Sequence, residues 1–444
     1  MGVQVKKFSI LALLILLGAG GCSVSDDPGF VPPQVGTDAC SIDGQKQYVL
    51  DAMRDVYFWN DLLPASVDMN AYATPEDLLE HLISFQPLDE FSYIDLAAAD
   101  AQFFGEGQYE GYGFSTRFEA ADDLRFLRVF ASSPAATAQF ERGQRILMLN
   151  GRTIADIEAN EGVGELFALP TLEFTIRRLD STEVTRIVNQ GLVTIDPLPQ
   201  SRVIDLPGGT SVGYLEFVTF IGTADAAFAD IFSAFQQANV TDVIIDLRYN
   251  GGGLISTTEL LGNYLGGAIA VDPIFSKTLF NANNSDFNRI AFFRNLFESI
   301  SLSRLVVIAT DRTASASELI TNSMEPHVDV SIVGSRTRGK PVGQLGIPFC
   351  DKILRPTAFE TVNADDEGGY FGGLPVDCPV LDDVLIPIGD DTDPNMTAAL
   401  FLLENGACPT PPLATQGLQK TAPVNDAFRR DRGGPAWRKL AGAW

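Results

Sequence analysis

The sequence predicts an α/β protein preceded by a small helical region and a β-rich domain, and three observations predict it. From residue 211 onward, buried apolar strands alternate with helix-like stretches, as a parallel sheet with crossover helices requires. Between residues 105 and 195, short β-like segments recur without helical spacing. Before them, apolar residues fall near the helical repeat. With 444 residues and 45% hydrophobic content, the chain is long enough for two or three domains with real cores.

At the N-terminus, Lys6 and Lys7 precede an apolar run over residues 8–17 that is too short to span a bilayer, the pattern of a cleaved export signal. The run ends in Ala19-Gly20-Gly21-Cys22, which resembles a bacterial lipobox, with Cys22 as the lipidated residue and 1–22 as signal peptide. Ser23 after it, rather than Asp, leans toward the outer membrane facing the periplasm if the source is Gram-negative, or the cell surface otherwise. Residues 23–40, with Asp26, Asp27, Pro28, Pro32 and Pro33, read as a tether. In residues 41–104, Val49, Met53, Val56 and Leu63 recur near helical spacing and 77–84 forms a second amphipathic segment. Residues 196–408 hold the α/β core, with strands expected over 212–217, 243–247, 305–309 and 330–333 and helices over 224–238 and 315–324. Residues 409–444 are read as a tail without packed structure.

The net charge of −26 argues against nucleic acid or anionic membrane surfaces as partners, because phosphate binding needs clustered Lys and Arg. The basic cluster Arg429, Arg430, Arg432, Arg438 and Lys439 lies in the tail. Apart from Cys22, four cysteines stand at 40, 350, 378 and 408, and an exported chain can oxidise them. Of three pairings, Cys350 with Cys378 and Cys40 with Cys408 is favoured. No Cys-x-x-Cys or Cys/His spacing supports a metal site.

Two loops at the C-terminal ends of core strands carry candidate chemistry. In Asp246-Leu247-Arg248-Tyr249-Asn250-Gly251-Gly252-Gly253-Leu254, glycines let backbone N–H groups turn toward a ligand. Alone, three glycines favour a flexible strand-to-helix turn. In Asp311-Arg312-Thr313-Ala314-Ser315-Ala316-Ser317-Glu318, a serine opens a helix, with its hydroxyl beside unpaired N–H groups. Ser315 and Glu318 also fit a capping box, a purely structural reading. Thr337-Arg338-Gly339-Lys340 follows the next strand, and Gln344 comes four residues later. The chain has two histidines, His81 and His327, so a Ser-His-Asp triad is poorly supplied, and a lysine base is the alternative.

These three motifs, in order and spacing, resemble the core of the carboxyl-terminal processing (tail-specific) serine proteases, and the likeness runs from Leu78 to about Leu403. The resemblance implies a Clp protease/crotonase-like core without metal or organic cofactor. It implies Ser315 as nucleophile, Lys340 as base and Gln344 as the group orienting the lysine. The oxyanion hole it implies uses the N–H of Ala316 with that of Gly252, or of Gly253 in reserve. Gly251 stands where the family usually has proline, Tyr249 where it has asparagine, and Pro341 where glycine is commoner. Lys340 serves as base only if neutral, which requires its pKa to fall from ~10.4 toward ~7 to 8. Gly111-Tyr112-Gly113-Phe114 and the 143–151 segment resemble a PDZ domain's carboxylate-binding loop and a following strand, so residues 105–195 are expected to grip peptide C-termini. Substrates would then be proteins or peptides recognised by their tails. The rival reading is a non-catalytic PDZ-bearing lipoprotein scaffold or adaptor, which has no need of Ser315, Lys340 and Gln344 together.

Overall fold

A computed structural model describes residues 40–267, 269 and 273–410. The lipidation site Cys22, nearly all of the tether and nearly all of the tail lie outside the described residues.

The helix Ile42–Val56 starts where Ser41 accepts the Gly44 N–H, and Pro75–Ile83 starts at a reciprocal cap between Thr74 and Asp77. Their apolar faces, including Val49, Met53, Leu78 and Leu82, bury against Leu345, Ile347, Phe349, Leu354 and Phe359. Strand Tyr93–Leu96 joins Lys352–Arg355 and Ile347–Phe349 in a three-stranded sheet under them. The N-terminal helices therefore share a core with residues 345–359.

Strands Phe114–Ala120, Asp123–Val129, Arg145–Leu149, Thr171–Arg177 and Glu183–Asn189 form, in that order, an antiparallel sheet. Phe114, Phe126, Phe140 and Phe174 interlock edge-to-face and stacked at its centre. Full burial of each such ring stabilises the sheet unit by about 1.5–3 kcal/mol.

The core is a six-stranded sheet in the order Gln200–Asp205, Ser211–Glu216, Asp242–Asp246, Arg304–Ala309, Asp329–Gly334, Cys378–Pro379. The first pair is antiparallel and the rest are parallel. Helices Asp225–Gln237, Ile255–Gly266 and Ala316–Met324 cover one face through Phe228, Phe235, Leu261, Leu265 and Ile320. Helix Pro394–Asn405 covers the other with Met396, Ala399 and Leu403. Because both faces are covered, the central strands read as unbroken apolar runs. The core strands and helices expected from sequence appear within about a residue of their expected ends, and the segment expected over 77–84 is the helix Pro75–Ile83, starting two residues earlier.

The disulfides are Cys40–Cys350 and Cys378–Cys408, which corrects the favoured pairing. Tyr48 of the first helix stacks on Phe349 at 5.3 Å, bringing the helix start beside Cys350. Strand Cys378–Pro379 is the sheet edge, and helix Pro394–Asn405 runs back across the face to leave Cys408 near it. Packing of elements, and not chain ends seeking each other, decides the pairs.

Candidate active site

Ser315 lies between strand Arg304–Ala309 and helix Ala316–Met324. Its φ of 56° and ψ of −117° fall outside the regions a residue with a Cβ normally adopts, at a cost of about 1–3 kcal/mol that the surroundings must sustain. A sharp strand-to-helix turn of this kind lifts a serine hydroxyl clear of the backbone. The turn is pinned from several sides. Thr313 donates its hydroxyl to the Leu247 carbonyl (2.8 Å), the Ala314 N–H donates to the Asn250 carbonyl (3.0 Å), and Ser317 donates its hydroxyl there too (3.1 Å). Ser317 is thus a buried helix residue, as expected.

Glu318 explains how the two halves of the site meet. Its carboxylate is fully buried and accepts four hydrogen bonds. One oxygen takes the Ser315 and Lys340 N–H groups, each at 2.8 Å, so these two backbone nitrogens are separated by at most twice that distance. The other takes the Thr337 hydroxyl (2.5 Å) and the Gly339 N–H (2.7 Å). Burial pushes the Glu318 carboxyl above its usual pKa, and the four donors pull against that. The Ser-x-x-Glu spacing signalled the bond to Ser315, but nothing in it signalled the bonds to residues 337–340.

Lys340 enters the site from a loop whose glycine is forced: Gly339 has φ 93°, and a Cβ there would stand 2.4 Å from the Phe371 carbonyl oxygen. The Lys340 Nζ donates to Gln344 Oε1 at 2.7 Å and lies 5.1 Å from the centre of the Phe91 ring. Gln344 is itself held, its Nε2 donating to the carbonyls of Phe91 and Arg355. The geometry therefore joins Lys340 to Gln344 as the motif suggested.

In the glycine loop, a Cβ on Gly252 would stand 2.8 Å from both the Ser315 Cβ and the Ala316 N, which places this backbone directly against the serine. The Gly252 N–H, however, donates to the side chain of Asn250 (2.9 Å), whose Nδ2 donates to the Phe217 carbonyl (2.8 Å). The N–H groups of Ala316 and Gly253 have no acceptor among the described residues. Asn250, 0% exposed, was not singled out by sequence reasoning, although it sits inside the motif.

Gly111-Tyr112-Gly113-Phe114 lies at the sheet unit. Tyr112 and Phe114 are core side chains, the Tyr112 hydroxyl donates to the Leu169 carbonyl (2.5 Å), and Gly113 (φ 84°) abuts Ser133. What this loop can offer a ligand is backbone. The histidines have other partners: His327 Nε2 bonds the Ile274 carbonyl at 2.8 Å, and His81 packs on Tyr72 and Phe85. No cluster suited to a metal ion occurs among the described residues.

Residues 211–377 match the peptidase family S41 model, and residues 44–93 match the peptidase S41 N-terminal domain. The chain is 24% identical over 310 residues to a carboxyl-terminal-processing protease of Synechocystis, covering 68% of this chain and 70% of that protein. It is 22% identical over 300 residues to a carboxy-terminal processing protease of Bacillus subtilis, covering 65% and 60%. The aligned part thus spans about 60–70% of these relatives. Among solved structures, an S41 protease from Bacteroides fragilis superposes with a TM-score of 0.64 at 22% identity, over 80% of this chain and 97% of that one. The photosystem II D1 C-terminal processing protease superposes with a TM-score of 0.52 at 20% identity, over 77% and 93%. Fold and family matches together define a serine peptidase with a Clp-like α/β core. More narrowly, the core and the N-terminal helices match the peptidase S41 models, and the chain is homologous to carboxyl-terminal processing proteases.

Proposed function

We propose that this chain is a serine endopeptidase working through a Ser315–Lys340 dyad on proteins or peptides recognised by their C-terminal tails. The observation that carries it is the Glu318 carboxylate, which holds the backbone of the serine and of the lysine on one oxygen while Gln344 fixes the lysine's tip. Neutral Lys340, donating one N–H to Gln344, keeps a lone pair for the Ser315 proton. The Ser315 oxygen attacks the peptide carbonyl, and the oxyanion is received by the Ala316 N–H with a glycine N–H from 252–253, each such donor being worth about 3–4 kcal/mol. Lys340 then gives its proton to the leaving amine, and water, deprotonated by Lys340, releases the acyl-enzyme. Residues 105–195 act as a PDZ-like domain whose backbone at Gly111–Gly113 takes the substrate carboxylate. Cys22 carries the lipid that holds the exported protein at the outer membrane facing the periplasm, and loss of palmitate labelling in Cys22→Ala tests this part alone.

The dyad is tested by cleavage of an unstructured protein with an apolar C-terminus by the mature domain, beside Ser315→Ala and Lys340→Ala, from pH 5 to 10. Both variants are expected to be inactive, with the wild-type rate rising through one ionisation well below that of an ordinary lysine. Equal behaviour of wild type and Ser315→Ala, with peptide bound and uncut, would replace the protease by a peptide-binding scaffold.

A further inference from the structure

The three consecutive glycines 251–253 give the loop beside Ser315 much backbone freedom to lose, so something must hold its shape. Asn250 and the Phe220 N–H, which donates to the Gly252 carbonyl at 3.0 Å, hold it from within the core. A third anchor leaves the core altogether. Tyr249, the residue two before Gly251, has φ 65°, a left-handed conformation that costs a residue with a Cβ about 1–2 kcal/mol. That turn sends its ring away from the sheet, to pack with Leu127 of the antiparallel sheet unit and with Val384 and Ile388. Tyr249 is 8% exposed. Its hydroxyl donates to Asp382 and receives a bond from Arg142 at 3.2 Å.

Asp382 is a meeting point. Arg117 (3.0 Å) and Arg142 (3.0 Å) reach it from the sheet unit, and Arg248 (3.1 Å) reaches it from the glycine loop. Arg142 also donates to the carbonyls of Leu127, Ile386 and Asp383, so its position is fully specified. A charged, nearly solvent-free cluster of this kind tolerates little displacement, because breaking one pair strands another charge in low dielectric.

We propose that Tyr249 is a positioning residue for the cleavage reaction: clamped by Asp382 and Arg142, it holds residues 250–253 against Ser315 and makes the antiparallel sheet unit a structural part of the reaction centre. This rests on the protease reading of Ser315. A displacement of the sheet unit moves Arg142 and Arg117, which pull on Asp382 through their ion pairs, and Tyr249 passes that displacement to the oxyanion side of the serine.

The test compares wild type, Tyr249→Phe, Arg142→Gln, their double variant and Ser315→Ala in the full chain. Tyr249→Phe keeps the ring and deletes the hydroxyl. It is expected to lower kcat about tenfold with KM little changed, since loosened placement of oxyanion donors is felt in the transition state. Arg142→Gln, which also removes the Asp382 pair, should fall at least as far, and the double variant no further than Arg142→Gln, because the Tyr249 hydroxyl acts through the same cluster. Hydrogen exchange at residues 250–253 should rise in both and stay unchanged in Ser315→Ala. Wild-type kcat in a folded Tyr249→Phe, or unchanged exchange at 250–253, overturns the proposal. Absence of any difference between wild type and Ser315→Ala overturns the protease reading, and the exchange data then still decide whether Tyr249 holds the loop.

Discussion

Replacing Glu318 by Gln keeps the side chain's size and one of its oxygens, and asks how much the four-donor grip is worth. The retained oxygen can still accept two bonds, but the amide NH2 must face two groups that donate to the carboxylate, either the N–H groups of Ser315 and Lys340 or the Thr337 hydroxyl and the Gly339 N–H. Two buried donors left unpaired cost about 1–3 kcal/mol each. Some of this is returned, because the carboxylate is held against the burial that raises its pKa. A net loss of about 2–4 kcal/mol follows, which for a core of this size lowers the melting temperature by roughly 5–15 °C. In the folded fraction, Ser315 and Lys340 lose their shared acceptor, and a shift of about 1 Å between reacting groups costs on the order of 100-fold in kcat. Thermal melts read the first effect, and the kcat and KM of tail cleavage, measured well below the melt, read the second. A Glu318→Gln protein with wild-type melting and wild-type kcat would refute the claim that this carboxylate assembles the site.

Two further predictions concern the frame. Peptide mapping without reductant should recover Cys40 joined to Cys350 and Cys378 joined to Cys408; by the chain-entropy argument, removing the first pair, 310 residues apart, should cost about 6 kcal/mol and the second, 30 apart, about 4. Burial would raise the Asp382 carboxyl, but Arg142, Arg248 and Arg117 with the Tyr249 hydroxyl hold it well below the usual carboxylate range. Its stabilisation is therefore fully present above the unfolded value of about 3.9 and fades as pH falls below it, by about 1.4 kcal/mol per unit. The stability gap between wild type and Asp382→Asn should narrow accordingly in denaturant titrations, and an equal gap at pH 7 and pH 2.5 would contradict the cluster.

The readable parts of the site share a physical property, that they are local. The strands at 243–247 and 305–309 announce themselves because a sheet covered on both faces must be apolar throughout, and the loops after them hold the candidate site. Ser315, Lys340 and Gln344 were legible as short motifs at the right spacing, and the lysine does reach the glutamine. Glu318 was legible as a helix cap and no more, since its bonds to Thr337, Gly339 and Lys340 cross to a loop 19–22 residues away. The preference for Gly252 over Gly253 had no local basis. It depends on where the Asn250 side chain turns, and Asn250 engages the Gly252 N–H while leaving that of Gly253 without an acceptor among the described residues.

By itself the sequence determined the order of the elements, the α/β character of the core and the short motifs that carry Ser315, Lys340 and Gln344, because burial, periodicity and turn chemistry act over a few residues at a time. Tertiary structure alone decided which cysteines pair, that the N-terminal helices share a core with residues 345–359, and that Tyr249 meets Asp382, 133 residues on. Those outcomes depend on how whole elements pack against one another, and the free energy of a contact between distant segments is not encoded in the local pattern of either.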